Sequence, residues 1–314
     1  MLITLGAGGA LFWHGLRSLQ GKVSPPFRLP PIWKMAGIFG LFVAMGLFIT
    51  ENDFAAGLLF PLILMVSATI PPLLAVAWFA NQNGGSLTWR RATVAFAGGA
   101  TMGVLVAIIL EILLPAIFLA LVFNLAGVAR ENIKDLLNAL AGKDIASALT
   151  SQGFIYIFIQ VALIAPLAEE LAKPLVTLPL LGRLSRRDAF LIGAMAGAGF
   201  AALENMLYAG FGFYFWVGIL LVRALGAAIH PLGSGLVTLG WHEVLRGEPK
   251  AWLHWFARFG LAAGMHALWN GGSLLVITLA GAEFFGELPP EIDVLGLSAA
   301  GTTLALLIIL GLIA

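Results

Sequence analysis

No cysteine occurs anywhere in the 314-residue chain, which excludes disulfides, thiolate catalysis and cysteine-ligated zinc. Charge is nearly as scarce. Asp, Glu, Lys and Arg together make up 11% of the residues, against roughly a quarter in a soluble domain. A formal net charge of +1 supplies no field to gather a polyanion, so no nucleic-acid partner is expected. What fills the sequence is apolar: 60% of it is hydrophobic and the mean hydropathy is +0.98. The solvent for most of such a chain is the lipid bilayer.

A spanning helix takes ~20 apolar residues, and apolar runs fall near 1–18, 35–50, 54–80, 93–124, 153–181, 188–212, 214–241, 253–278 and 294–314. They predict an all-α fold, a polytopic transmembrane helical bundle of about nine spans. The first run carries its basic residues, Arg17 and Lys22, behind the apolar stretch and reads as a retained span, not a signal peptide. Pro61, Pro71 and Pro72 predict a kink in the third. Between the fourth and fifth, Ile133, Leu136, Leu137 and Leu140 recur at helical spacing and predict a short amphipathic helix on the membrane surface. Three parts are expected: 1–150 with spans 1–4 and the interfacial segment, 151–280 as a catalytic core of spans 5–8, and 281–314 as a C-terminal span.

Under that topology Arg17, Lys22, Arg28, Lys34, Arg90, Arg91, Arg183, Arg186, Arg187, Arg246, Lys250 and Arg258 share one side, and Arg130, Lys134 and Lys143 lie opposite. The positive-inside rule makes the richer side cytoplasmic. A multi-pass protein of the cell membrane is expected, with its N-terminus outside and its C-terminus in the cytoplasm.

The charged residues left within spans are Glu111, Glu169, Glu170, Lys173, Glu204 and Arg223, joined there by His230 and His266. Each buried charge costs roughly 2.5–3.5 kcal/mol on insertion scales, so a bundle keeps them only with partners or a purpose. In the run Glu169-Glu170-Leu171-Ala172-Lys173, Glu169 and Lys173 stand one helical turn apart, while Glu170 points ~100° away from Glu169. Lys173 is expected to hold Glu169 ionised as a base for water, with Glu170 supporting it or passing on the proton. Glu204 and Asn205 follow a run of small residues in which Gly193 and Gly197 form a close-packing face. His266 and Asn270, one turn apart, can face one point, where either side chain can donate to a developing oxyanion. His14, His242 and His254 lie near span ends and read as interfacial. Arg223 is expected to pair with Glu111. Glu204, His230 and His266 form the His/His/carboxylate set that suits a divalent metal, zinc above all, with an open water position.

The order Glu169-Glu170-x-x-Lys173, then Phe200-x-x-x-Glu204-Asn205, then a span with His230 and a span with His266, resembles the PrsW family of intramembrane proteases, relatives of the CAAX prenyl endopeptidases. The resemblance covers about 165–270. It implies cleavage of a membrane-anchored protein substrate, an anti-sigma factor being the usual kind, by a metal-type or glutamate-type mechanism. In the prenyl endopeptidases the basic residue of the first motif is Arg, one place beyond Lys173, and His stands where Glu204 does, which argues against a prenylated substrate; their final His-x-x-x-Asn is matched by His266 and Asn270. Intramembrane carboxylates and histidines also build proton relays, so a proton- or ion-coupled transporter is the alternative. No second copy of the motifs occurs in 1–150 to give the repeated halves common in transporters.

Overall fold

A computed structural model describes residues 2–83, 86–122 and 151–284. It is helical, with no strand among the described residues. In chain order the helices are α1 (Leu2–Leu19), α2 (Ile32–Ile49), α3 (Asp53–Asn83), α4 (Trp89–Gly98), α5 (Val104–Val122), α6 (Gln152–Ile159), α7 (Ala165–Ala172), α8 (Leu178–Leu181), α9 (Arg186–Phe211), α10 (Trp216–Leu225), α11 (Ile229–Leu245) and α12 (Ala251–Phe284). π-helical turns at Gly99–Gly103 and Gln160–Ile164 join α4 to α5 and α6 to α7, and a 3₁₀ turn at Lys173–Thr177 joins α7 to α8.

Six segments among the described residues are long and apolar enough to cross a membrane: Ile32–Ile49, Asp53–Gln82, Trp89–Ile117, Gln152–Leu181, Arg186–Phe211 and Phe213–Leu245. They coincide with the second to seventh expected spans. α1 and α12 are helical where the first and eighth were expected. The ninth run and the amphipathic segment near 130–150 lie outside the described residues, so the count of nine is not reached among them.

The helices fall into two compact units. The first holds the described residues up to 107 and 169–262, and α9 is its centre, packed by α11, α3 and α4. Its apolar window is 72% buried, against 11% for the one in α2, which separates a protein-facing helix from one left to lipid. Composition is the cause. The stretch Gly193-Ala194-Met195-Ala196-Gly197-Ala198-Gly199 lets neighbouring backbones come close: a Cβ on Gly197 would collide with the backbone of His230 on α11. The second unit comprises 108–122, 151–168 and 263–284 among the described residues. In it Gly271 of α12 packs on Ala162 and Phe158.

Prolines free carbonyls in these helices, because a proline has no N–H for the residue four before it. In lipid such a carbonyl needs another donor. Pro72 frees the carbonyl of Ala68, and the Asn205 amide donates to it at 3.1 Å. Pro115 does the same to Glu111, whose carbonyl accepts from Gln160 Nε2 at 3.2 Å. In the π-turn the Ala165 N–H bonds back to Gln160, so the donor due to Val161 would be Pro166. Asn270 Nδ2 donates there instead, at 3.2 Å. α3 thus runs unbroken from Asp53 to Asn83 despite three internal prolines.

Candidate active site

α7 and the 3₁₀ turn after it carry the first motif. The helix passes into a 3₁₀ turn at Lys173, where Pro174 follows. Residues three and four apart share a helix face, and Lys173 meets both carboxylates, Glu170 Oε1 at 2.7 Å and Glu169 Oε2 at 3.0 Å. The sequence reading had paired it with Glu169 alone. Lys173 and Glu170 are wholly buried and Glu169 almost so. Room for Glu170 comes from Gly233 on α11, where a Cβ would press on its Oε2. The Lys173 ammonium also lies 4.5 Å from the ring centre of Phe200 on α9, a cation–π contact that helps to hold an ammonium out of water.

Phe200 stacks in turn on His230, with ring centres 5.8 Å apart. His230 is buried and stands between two carboxylates: Nε2 is 3.0 Å from Glu204 Oε2, and Nδ1 is 3.8 Å from Glu169 Oε2. With its ring proton on Nε2 the imidazole donates to Glu204 and presents the Nδ1 lone pair towards Glu169; with it on Nδ1, Nε2 accepts from Arg223 Nη2.

Arg223, in the last turn of α10, completes the group. Its Nη2 reaches Glu204 Oε2 at 2.6 Å, its Nε donates to Asn205 Oδ1, and its guanidinium lies over Tyr208. These contacts draw Arg223 into the site and away from the expected pairing with Glu111. The chain breaks between α10 and α11 at residues 226–228, which lets Arg223 and His230 approach one another, Nη2 to Nε2 at 3.3 Å. Asn205 passes the order on to α3 through the carbonyl of Ala68.

In the first unit the fold therefore brings together Glu169, Glu170, Lys173, Glu204 and His230 of the expected residues. Arg223 and Phe200 join them, neither read as part of the site from the sequence. The signal for Arg223 was its place seven residues before His230, two turns along one face. His266 and Asn270 belong to α12 in the second unit. His266 is wholly buried, and one amide hydrogen of Asn270 is committed to Val161. His242, expected at the interface, is instead buried, with Nε2 3.0 Å from the carbonyl of Leu184.

Helices apolar enough to span a bilayer, with three carboxylates, two cations and a histidine gathered among them, define a multi-pass membrane protein with a buried cluster of ionisable side chains. The family model for the PrsW family intramembrane metalloprotease matches residues 87–289. The chain belongs to this family and is an intramembrane protease, acting on protein within a lipid bilayer. The match begins at α4, well before the first motif, and takes in every residue named above for the site. Neither the curated proteins nor the solved structures yielded a match.

Proposed function

We propose that the protein cleaves membrane-anchored, single-pass proteins of the anti-sigma-factor kind by adding water to the peptide bond at the Glu169–His230 group. Membership of a metalloprotease family supports this over proton-coupled transport. The observation that carries it is His230 held between Glu204 and Glu169.

The donor set fits a divalent cation, zinc by ligand type. A neutral imidazole Nδ1 and a carboxylate oxygen 3.8 Å apart suit two ligands of one ion at about 2.0–2.2 Å each. Glu169 and His230 would hold it, and His266 is kept as a ligand on the sequence reading alone. The carboxylate read from the sequence as a ligand was Glu204, but Arg223 already neutralises Glu204. Glu204 serves better as the outer partner that fixes the His230 tautomer, as carboxylates behind metal-bound histidines do. When bound, the ion supplies Lewis acidity to the scissile carbonyl and acidity to water.

The remaining steps fall to the chain. Glu170, ionised beside Lys173, takes the proton from attacking water and returns it to the leaving amine. Lys173 keeps that carboxylate charged in a dry site and orients it. The oxyanion donor read into Asn270 is its second amide hydrogen, the first being used by Val161. The basic ends of α1, α4 and α9 face the cytoplasm of the cell membrane under the positive-inside rule.

The test separates ligand from base. Purified Glu169→Gln is expected to lose both bound metal and cleavage of a single-pass reporter. Glu170→Gln is expected to keep the metal and lose cleavage by about 10²–10⁴-fold, the usual worth of a positioned proton acceptor. A Glu169→Gln protein that cleaves as well as the parent overturns the reading.

A further inference from the structure

Away from the ionisable group, the end of α1 and the start of α4 border an open cavity of about 450 Å³ lined by Lys22, Arg90 and Arg91 together with Ser18, Ser24 and Thr88. Two loops meet to build it. The Phe27 N–H donates to the Leu87 carbonyl at 2.7 Å and the Trp89 N–H to Pro25 at 3.1 Å. This pins the segment after α1 onto the start of α4. Arg90 ties the walls together: its backbone N–H donates to Ser24 Oγ at 3.0 Å, Nη1 to Ser18 Oγ at 3.0 Å and Nη2 to the Lys22 carbonyl at 2.9 Å. Its Nε is buried with no hydrogen-bond partner among the described residues.

The charge around the cavity is of one sign. No Asp or Glu occurs in 1–50 or in 54–110. Asp188 reaches this end of the molecule only at Ser86, which donates to it through both its N–H and its hydroxyl at 2.8 Å. Three cations and three hydroxyls, with no acid in the lining, are the complement of a phosphate. Two exposed apolar side chains stand in the same segment: Val23, in the lining, is 89% exposed and Leu19 is 88% exposed, beside helices whose length suits the bilayer. Leucine and valine that far out of protein, next to a cationic hollow at a helix end, match a ligand with a phosphate head and acyl tails better than a free anion.

We propose that this cavity binds the phosphate headgroup of an anionic phospholipid. The site anchors the α1–α4 end of the protease to a membrane of matching charge and is separate from the hydrolytic group.

The full chain, purified in neutral detergent, is titrated with dioleoylphosphatidylglycerol, with dioleoylphosphatidylcholine, and with glycerol 3-phosphate as the free anion. Lipid retention is read by native mass spectrometry and stability by thermal shift. Phosphatidylglycerol is expected to be retained and to raise the melting temperature, and the other two are not. Lys22→Gln/Arg91→Gln, which spares the structural bonds of Arg90, is expected to weaken retention about thirtyfold, roughly fivefold for each cation lost near an anionic headgroup. Unchanged retention in the double variant overturns the proposal, and so does equal binding of glycerol 3-phosphate or phosphatidylcholine by the parent. Should the double variant not fold, a photoreactive headgroup on phosphatidylglycerol is used with the parent. Crosslinks at 18–24 and 88–91 support the site, and crosslinks confined elsewhere overturn it.

Discussion

Two groups of buried carboxylates in the first unit invite comparison, one around His230 and one around Glu243 near the end of α11. Glu243 is 1% exposed and receives three donors, from Arg186 at 2.5 Å, Arg258 at 2.8 Å and His254 Nδ1 at 2.9 Å. Arg186 also pairs with Glu248 at 3.4 Å, so two carboxylates face two guanidiniums, and Arg186 and His254 extend into solvent. Around His230 acid is in the majority. Glu169, Glu170 and Glu204 pair with Lys173 and Arg223, three carboxylates to two cations with a histidine among them. A group with acid to spare attracts a cation, whereas one whose charges are matched is an ion-pair clasp. Sequence position obscures the contrast, since both carboxylate clusters belong to apolar helices.

The largest effect that would sharpen this contrast comes from the histidine. His230→Ala removes the nitrogen that faces Glu169 and the donor that Glu204 accepts. Cleavage and metal content are both expected to fall more than about a hundredfold, beyond the 10–100-fold that outer partners of a metal site cost. Metal is counted by elemental analysis of the purified protein. Full occupancy in this variant would erase the distinction between the two groups. Glu204→Gln, an outer change only, is expected to lower metal affinity within that 10–100-fold range, read by competition with a chromogenic chelator.

Arg223 ranks next, and its effect is on stability. Arg223→Met leaves Glu204 partly buried beside Asn205 with its cation gone, and breaking such a pair costs about 3–5 kcal/mol. Adding Glu204→Gln removes the stranded charge, so Arg223→Met/Glu204→Gln is expected to regain most of the stability. It still lacks the carboxylate that fixes the His230 tautomer, so metal affinity stays low. Denaturant titration in mixed micelles gives the first quantity and chelator competition the second. If the double variant recovers metal affinity together with stability, Arg223 and Glu204 are packing only and do not position the histidine.

Much of this was legible from residue type alone. Six apolar runs became helices long and apolar enough to span where hydropathy placed them, and Gly193 and Gly197 form the close face of α9 against α11 that their spacing suggests. Glu169, Glu170, Lys173, Glu204 and His230 were singled out because charge is expensive in lipid, and the fold gathers them. Partner choice was harder to read. Lys173 bridges two carboxylates because residues three and four before it both share its helix face, and Arg223 reaches Glu204 across two helices. The second contact joins separate helices, which a helical-wheel argument cannot anticipate. Asn270 and Asn205 were read for chemistry, yet each first answers a backbone carbonyl, Asn205 one that a proline had freed on another helix.

The smallest expected effect lies at the contrasting group. Glu243→Gln keeps the shape and one acceptor oxygen, but sets an amide N–H against donors from Arg258, Arg186 or His254. The loss of charge-assisted bonds is worth about 1–3 kcal/mol. Because Arg186 and His254 are half in water, solvent recovers part of it, so the result should sit at the low end. Salt screens the arms that reach solvent, and the difference between parent and variant is expected to narrow as ionic strength rises. Metal content and cleavage should stay at parental levels, since the Glu243 carboxylate is already met by Arg186, Arg258 and His254. A Glu243→Gln protein that folds but loses its metal would show that the two groups are coupled, and charge balance would no longer tell a clasp from a reactive centre.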